Sequence, residues 1–231
     1  MVGVRQFDEA QVLTKALDVF WRKGLHATSM RDLAEATGVQ RGSLYHAYGD
    51  KERLFLLAFE RYAARFLSEA RSALDGTEAG SALLRFFDVA IANMRSGSPP
   101  RGCLTTKMAT EAALAGPRIK QRLRALLDEL GIVVRDALAR DPFRSALGLP
   151  PAEAAEVIVT FTRGLAVMER LYQDQHRLKD SAAALVRALL AQRLATPHRS
   201  KRASPRRAAR ARSKLPASVP TPPSAPARGR R

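Results

Sequence analysis

The chain has 231 residues, a net charge of +17 and one cysteine, Cys103. That length suits one or two domains; a lone cysteine excludes an internal disulfide and fits a reducing cytoplasm. No uncharged apolar run is long enough to span a bilayer, and the start, with Arg5, Asp8 and Glu9, has no apolar signal core. The excess of Lys and Arg points to a polyanionic partner, nucleic acid first.

In chain order, Leu13, Ala16, Leu17 and Phe20 fall at helical spacing and predict a first amphipathic helix. Ser29 followed by Asp32 is a helix-start pattern, in which each side chain satisfies an orphan backbone donor. Met30, Leu33 and Ala34 then give one apolar face, and Thr37-Gly38 ends the helix, because Gly38 can take the left-handed conformation that redirects the chain. A second short helix is expected over about residues 40–48, with Leu44 as its apolar contact. Asp50 caps the next helix, which runs through Leu54, Leu57, Ala58 and Arg61. The helix at 40–48 shows Gln40, Arg41, Ser43, Tyr45 and His46 where an apolar stripe would otherwise lie. It is a polar surface fit for a polar partner.

The residues Phe20, Gly24, Thr28, Ser29, Leu33, Ala34, Gly38, Val39, Gly42, Ser43, Leu44, Tyr45, Asp50, Lys51 and Glu52 resemble, in order and spacing, the DNA-binding domain of the TetR family of transcriptional regulators. The resemblance covers about residues 8–66. It implies an all-α protein: a three-helix helix-turn-helix domain over 1–66 (motif about 29–48) and a helical ligand-binding and dimerisation domain over 75–195; composition, below, sets off a tail over 196–231.

In a major groove, Arg41 fits guanine bidentately and Gln40 fits adenine. His46 can reach base or backbone. Ser43 and Tyr45 offer hydroxyls to phosphates, and Gly42 allows close approach. Arg31 resembles a family position that also reaches a base, and Ser29 joins the expected DNA-binding set. Lys51 is expected to meet a phosphate at a helix start. The chain departs from the family pattern at His46-Ala47-Tyr48, where Ala47 removes a common contact and Tyr48 stands for a core Phe. It departs again at Met30, where relatives often place a Thr.

Beyond residue 75 the pattern stays helical. Leu84, Phe87, Ile91 and Met94 mark one helix, and a short one follows from about Cys103 to Ala115. Another carries Ile119, Leu123, Leu126, Leu127, Leu130, Val134 and Leu138. The helix over 152–172 is apolar over much of its girth and so should be buried on several sides. The last helix is expected to start near Asp180 or Ser181. The resemblance implies that the last two long helices pair with a second subunit, through Val157, Phe161, Leu165, Leu185, Val186 and Leu189. It also implies a pocket for a small-molecule effector lined by Phe87, Met94, Cys103, Met108, Phe161, Met168 and Tyr172. Cys103 sits at a helix start four residues before Lys107, an arrangement that favours thiolate unless Glu111 pairs with that lysine. Gly102-Cys103-Leu104 resembles the arrangement in regulators that respond to electrophiles or oxidants.

The tail from 196 to 231 holds eleven Lys or Arg, no acid and seven of the thirteen prolines, leaving +6 on the preceding 195 residues. Its composition predicts disorder and counterion-releasing contact with DNA. The leading expectation is a homodimeric, ligand-responsive repressor on an inverted-repeat operator in double-stranded DNA. The alternative is an architectural DNA protein driven by the tail. The four histidines at 26, 46, 176 and 198 lack metal-ligand spacing, and no phosphate-loop or dinucleotide fingerprint occurs, so no enzyme, metal or cofactor is expected.

Overall fold

The computed structural model describes residues 7–97, 99–111 and 116–190. Among them every regular element is a helix: α1 (Glu9–Lys23), α2 (Met30–Thr37), α3 (Arg41–Tyr48), α4 (Lys51–Ala73), α5 (Ala79–Arg95), α6 (Leu104–Glu111), α7 (Pro117–Leu138), α8 (Phe143–Ala146), α9 (Pro151–Tyr172) and α10 (Gln175–Leu190). The expected tail at 196–231 lies outside the described residues, as do Ala112 to Ala115, the end expected for the short helix at Cys103.

Helices α1, α2 and α4 each start on a capping side chain, Asp8, Ser29 and Asp50. Asp8 accepts from the amides of Ala10 and Gln11 at the start of α1. Phe20 of α1 meets Phe55 of α4 edge to face at 5.2 Å, and Leu33, Leu44 and Tyr48 are fully buried beside them. One small core thus unites α1, α2, α3 and the start of α4.

Helix α4 does not stop at the expected end of the DNA-binding domain near residue 66. It runs 23 residues, packing on α1 at one end and on α5 and α7 at the other. Arg122 of α7 reinforces that junction, holding Glu60 of α4 with Nε to Oε2 at 2.5 Å and lying over the Phe59 ring. Behind it α7 packs on α9, and α5 packs on α9 and α10. The described residues fall in one compact unit, and α4 runs through the expected boundary near residue 66.

Three local expectations change. The loop bracketed by Asp141-Pro142 and Leu149-Pro150-Pro151 contains α8, whose Phe143 is buried. Helix α10 begins at Gln175 rather than near Asp180, because the Asp174 carboxylate accepts from the amides of His176 and Arg177 and starts the helix one and a half turns earlier. Helix α9 is not buried on several sides within the protomer: Val157, Val167, Met168, Leu171 and Tyr172 stand exposed along it.

Candidate nucleic-acid interface

The turn between α2 and α3 is set by local chemistry. Ser29 Oγ accepts from the Asp32 amide at 3.2 Å, and the Asp32 carboxylate accepts from the Ser29 amide at 2.8 Å, a closed capping box. Asp32 also holds Lys23 Nζ at 2.7 Å. The hydrogen bond from that ammonium, then those from Ser29, hold the Asp32 carboxyl far below the usual carboxylate range. Gly38 sits at φ 74°, ψ 12° and returns its amide to Ala34, so the chain turns left-handed where a side chain would be strained.

Helix α3 is anchored by Leu44 and Tyr48, one turn apart and both fully buried. That fixes its rotation. Gln40, Arg41, Gly42, Ser43, Tyr45 and His46 are consequently all exposed on the opposite side. Gln40 takes the N-cap position without using its side chain as a cap, which leaves the amide free to reach outward. The Arg41 guanidinium lies 5.4 Å from the centre of the Tyr45 ring, so one exposed residue steadies the other. A Cβ at Gly42 would meet nothing within 4 Å, so the fold itself does not require glycine there. Arg31 is exposed on α2.

Two expected DNA contacts are engaged inside the protein. The Ser29 hydroxyl donates to Asp32 Oδ2 at 2.8 Å as part of the cap. Lys51 Nζ donates to the carbonyls of Leu25, His26 and Thr28 at 3.0, 3.1 and 2.8 Å. An ammonium has three protons, and all three are used. In the free protein this ammonium, expected to meet a phosphate, clamps the α1–α2 connection. The sequence shows a lysine at a helix start but not which way it turns.

The expected effector-pocket residues divide. Phe87, Met94, Cys103 and Met108 are buried, and Phe161 meets Phe87 edge to face at 5.8 Å. Met168 and Tyr172 lie on the outer face of α9, Tyr172 under the Arg177 guanidinium at 3.9 Å, and do not join them. Cys103 Sγ accepts from Arg163 Nη1 at 3.3 Å. Lys107, expected to face the thiol, instead sends its ammonium to the carbonyls of Trp21 and Arg22. Burial first, then the charge of Arg170, pulls its pKa below the usual lysine value. Glu111, whose charge acts on Lys107 in the opposite sense, accepts from the Leu25 amide at 3.0 Å. Arg163, sixty residues away in sequence, is the cation that reading the chain missed.

Of the expected interface residues, Val157 is exposed and Phe161 and Leu185 are half-buried. Leu165, Val186 and Leu189 are 2%, 4% and 3% exposed and belong to the intrachain core rather than to a face open to a partner. Val167 and Leu171, with Met168 and Tyr172, extend the exposed apolar face instead. Among the described residues no cluster of His, Cys, Asp or Glu could hold a metal ion, and no helix is long and apolar enough to cross a membrane.

Residues 12–58 match the family model for bacterial regulatory proteins of the tetR family, and residues 79–185 match the tetracyclin repressor-like C-terminal domain. The transcriptional repressor ComR of Escherichia coli is 41% identical over 100 residues, 42% of this chain. That stretch spans 47% of ComR, so the likeness covers less than half of that protein's length. The regulator YezE of Bacillus subtilis is 45% identical over 58 residues, 25% of this chain and 30% of YezE. Among solved structures, a cysteine mutant of the TetR family regulator CifR, complexed with 26-base-pair operator DNA, superposes with a TM-score of 0.69 at 30% identity, covering 80% of this chain and 99% of that one. The reduced form of E. coli NemR shares the fold, with a TM-score of 0.71 at 17% identity over 80% of this chain and 97% of that one.

Proposed function

The chain belongs to the TetR family of bacterial regulatory proteins, and from that premise we propose a homodimeric repressor that reads an inverted-repeat operator and releases it when a small molecule binds. One observation carries the DNA reading. Leu44 and Tyr48 are buried to completion while Arg41, Ser43, Tyr45 and His46 of the same eight-residue helix, with Gln40 at its N-cap, are exposed. Such a helix presents its N-terminal residues to a major groove: Arg41 to a guanine, Gln40 to an adenine, Ser43 and Tyr45 to phosphates, His46 to base or backbone. Arg31 supplements it from α2, while Ser29 and Lys51 act from behind by holding the backbone.

One α3 reads too few base pairs to select a site, so function requires two related by a two-fold axis, about 34 Å apart along the duplex. The exposed face of α9, centred on Gly164 between Phe161 and Met168, supplies a surface for that pairing. The assignment of residues 1–66 to DNA binding, 75–195 to effector binding and dimerisation, and 196–231 to a basic accessory tail follows the same division. We place the protein in the cytoplasm, acting without a catalytic step or cofactor.

The test is selection of bound duplexes from a random pool, using the full chain and a version ending at Ala195. Both should enrich one inverted repeat. Binding that vanishes with the tail and enriches no motif would instead identify an architectural protein.

A second reading concerns the signal. Cys103 has a guanidinium on its sulfur, Arg163 Nη1 at 3.3 Å. The solved CifR structure above is itself a cysteine mutant. On this reading an electrophile or oxidant at Cys103 is the signal that lowers operator affinity. Maleimide treatment should weaken operator binding by the wild type and leave Cys103→Ser untouched; equal loss in both would make the thiol structural.

A further inference from the structure

The connection between α1 and α2, residues 24–29, satisfies only some of its own polar groups, as where Thr28 Oγ1 donates to Gly24 O. A helix end leaves its last carbonyls without partners. Here those of Trp21 and Arg22 are taken by Lys107 Nζ, both at 2.7 Å, from α6. The next amide, Leu25, donates to the Glu111 carboxylate, also from α6. The carbonyls of Leu25, His26 and Thr28 are taken by Lys51 from α4. Gly24 stands at φ 85°, and any Cβ there would collide with the Glu111 carboxylate, so the two segments are in direct contact. Just before α6, Gly102 O accepts from Trp21 Nε1 at 3.0 Å, and Arg101 lies over the Trp21 ring at 4.5 Å while holding Asp18 at 2.8 Å.

We infer that residues 101–111 form a strap from the C-terminal half that positions the α1–α2 connection for DNA reading, with Lys107 and Glu111 as positioning residues that act through the start of α2. The reach is short. Thr28 is bound by Lys51, Ser29 opens α2, and α2 packs directly on α3. A change in the strap therefore tilts α2 and α3 without any residue of the strap touching DNA. The C-terminal half thus grips the reader at α1 as well as through the shared helix α4. Cys103 lies within the strap, between the residue that holds Trp21 and the lysine that holds the end of α1.

This inference rests on the DNA-binding reading above, and one experiment separates the two. The full-length wild type, Lys107→Met, Glu111→Gln and Lys107→Arg are titrated with the duplex enriched by the wild type, at several salt concentrations. Amide hydrogen exchange is followed in the same proteins. The expected result is an affinity loss of about tenfold for Lys107→Met, the size of one lost charged hydrogen bond. Its salt slope should be unchanged, because no phosphate contact is removed. Exchange should quicken at residues 24–29 and stay unchanged in α9 and α10, and Lys107→Arg should restore affinity. Glu111→Gln should show a weaker form of the same pattern. Unchanged affinity despite faster exchange at 24–29 would overturn the inference. So would a salt slope lower by about one unit, which would mark a direct phosphate contact, or faster exchange spread over all helices, which would mark a general structural role. A wild type that enriches no duplex would overturn the DNA reading itself, before the strap is tested.

Discussion

Lys51 Nζ stands 2.8 Å from the carbonyl oxygen of Thr28, on the connection between α1 and α2. We therefore expect its contribution to DNA binding to be structural. Lys51→Met keeps the aliphatic stem and removes three charge-assisted hydrogen bonds that are only partly shielded from water. We expect a loss of about 1–2 kcal/mol in unfolding free energy. Operator binding should weaken without a change in salt slope, whereas removing a cation that grips a phosphate lowers the slope by about one. Denaturant melts and salt-dependent titrations distinguish the two.

Arg41 and Gly42 should separate specificity from stability. Arg41→Ala should cost about 1–3 kcal/mol of operator binding and relax the preference at one base pair in each half-site. Gly42→Ala should act differently. The new methyl meets nothing within 4 Å in the free protein, and Ala is the better helix former by about 1 kcal/mol. The variant should melt higher and bind the operator less well. A variant that melts higher and binds as tightly would remove Gly42 from the closest approach to the duplex.

The capping box makes a prediction about pH. The Asp32 carboxyl is held below its ordinary value by Lys23 and then by Ser29, so its charged form is favoured in the fold. A depressed carboxyl contributes stability that is complete above its unfolded pKa, about 3.9, and is lost as pH falls from there through the folded value. The advantage of wild type over Asp32→Asn should be constant above about pH 5 and shrink below about pH 4. Melting temperatures of both proteins across that range are the measurement. An advantage that grows with acid would contradict the Lys23–Asp32 pairing.

What could be read from the chain followed how local the cause was. The cap at Ser29, the left-handed Gly38 and the rotation of α3 depend on residues within one or two turns, and each was legible. Lys51 and Lys107 were legible as cations but not as clamps, because their carbonyl partners lie 23 to 26 and 85 to 86 residues away. Arg163 escaped notice beside Cys103 for the same reason. Helix α9 failed in another way. Its residues are apolar on nearly every side, so apolarity could not say which face meets its own core. Packing against α7 and α5 chose the face of Leu165 and Ile158 and left Met168 and Leu171 outside. The start of α10 is expected at Asp180 or Ser181, and that Asp174 caps it instead is decided by the fold.

That choice of face on α9 can be tested directly. Leu171 is 69% exposed and Met168 38%, so a charge at either position costs the isolated protomer little. If the outer face of α9 meets its counterpart in a second copy, Met168→Glu buries two like charges near a two-fold axis and should shift sedimentation from dimer to monomer. The protomer should keep its helical signal. Because two recognition helices are then no longer tied together, binding to the inverted repeat should fall far more than binding to a single half-site. Leu165→Glu should behave otherwise. Leu165 is 2% exposed, and a carboxylate there faces the intrachain core, so the protein should unfold at lower temperature whatever its assembly state. A dimer that survives Met168→Glu and Leu171→Glu together would place the pairing surface elsewhere.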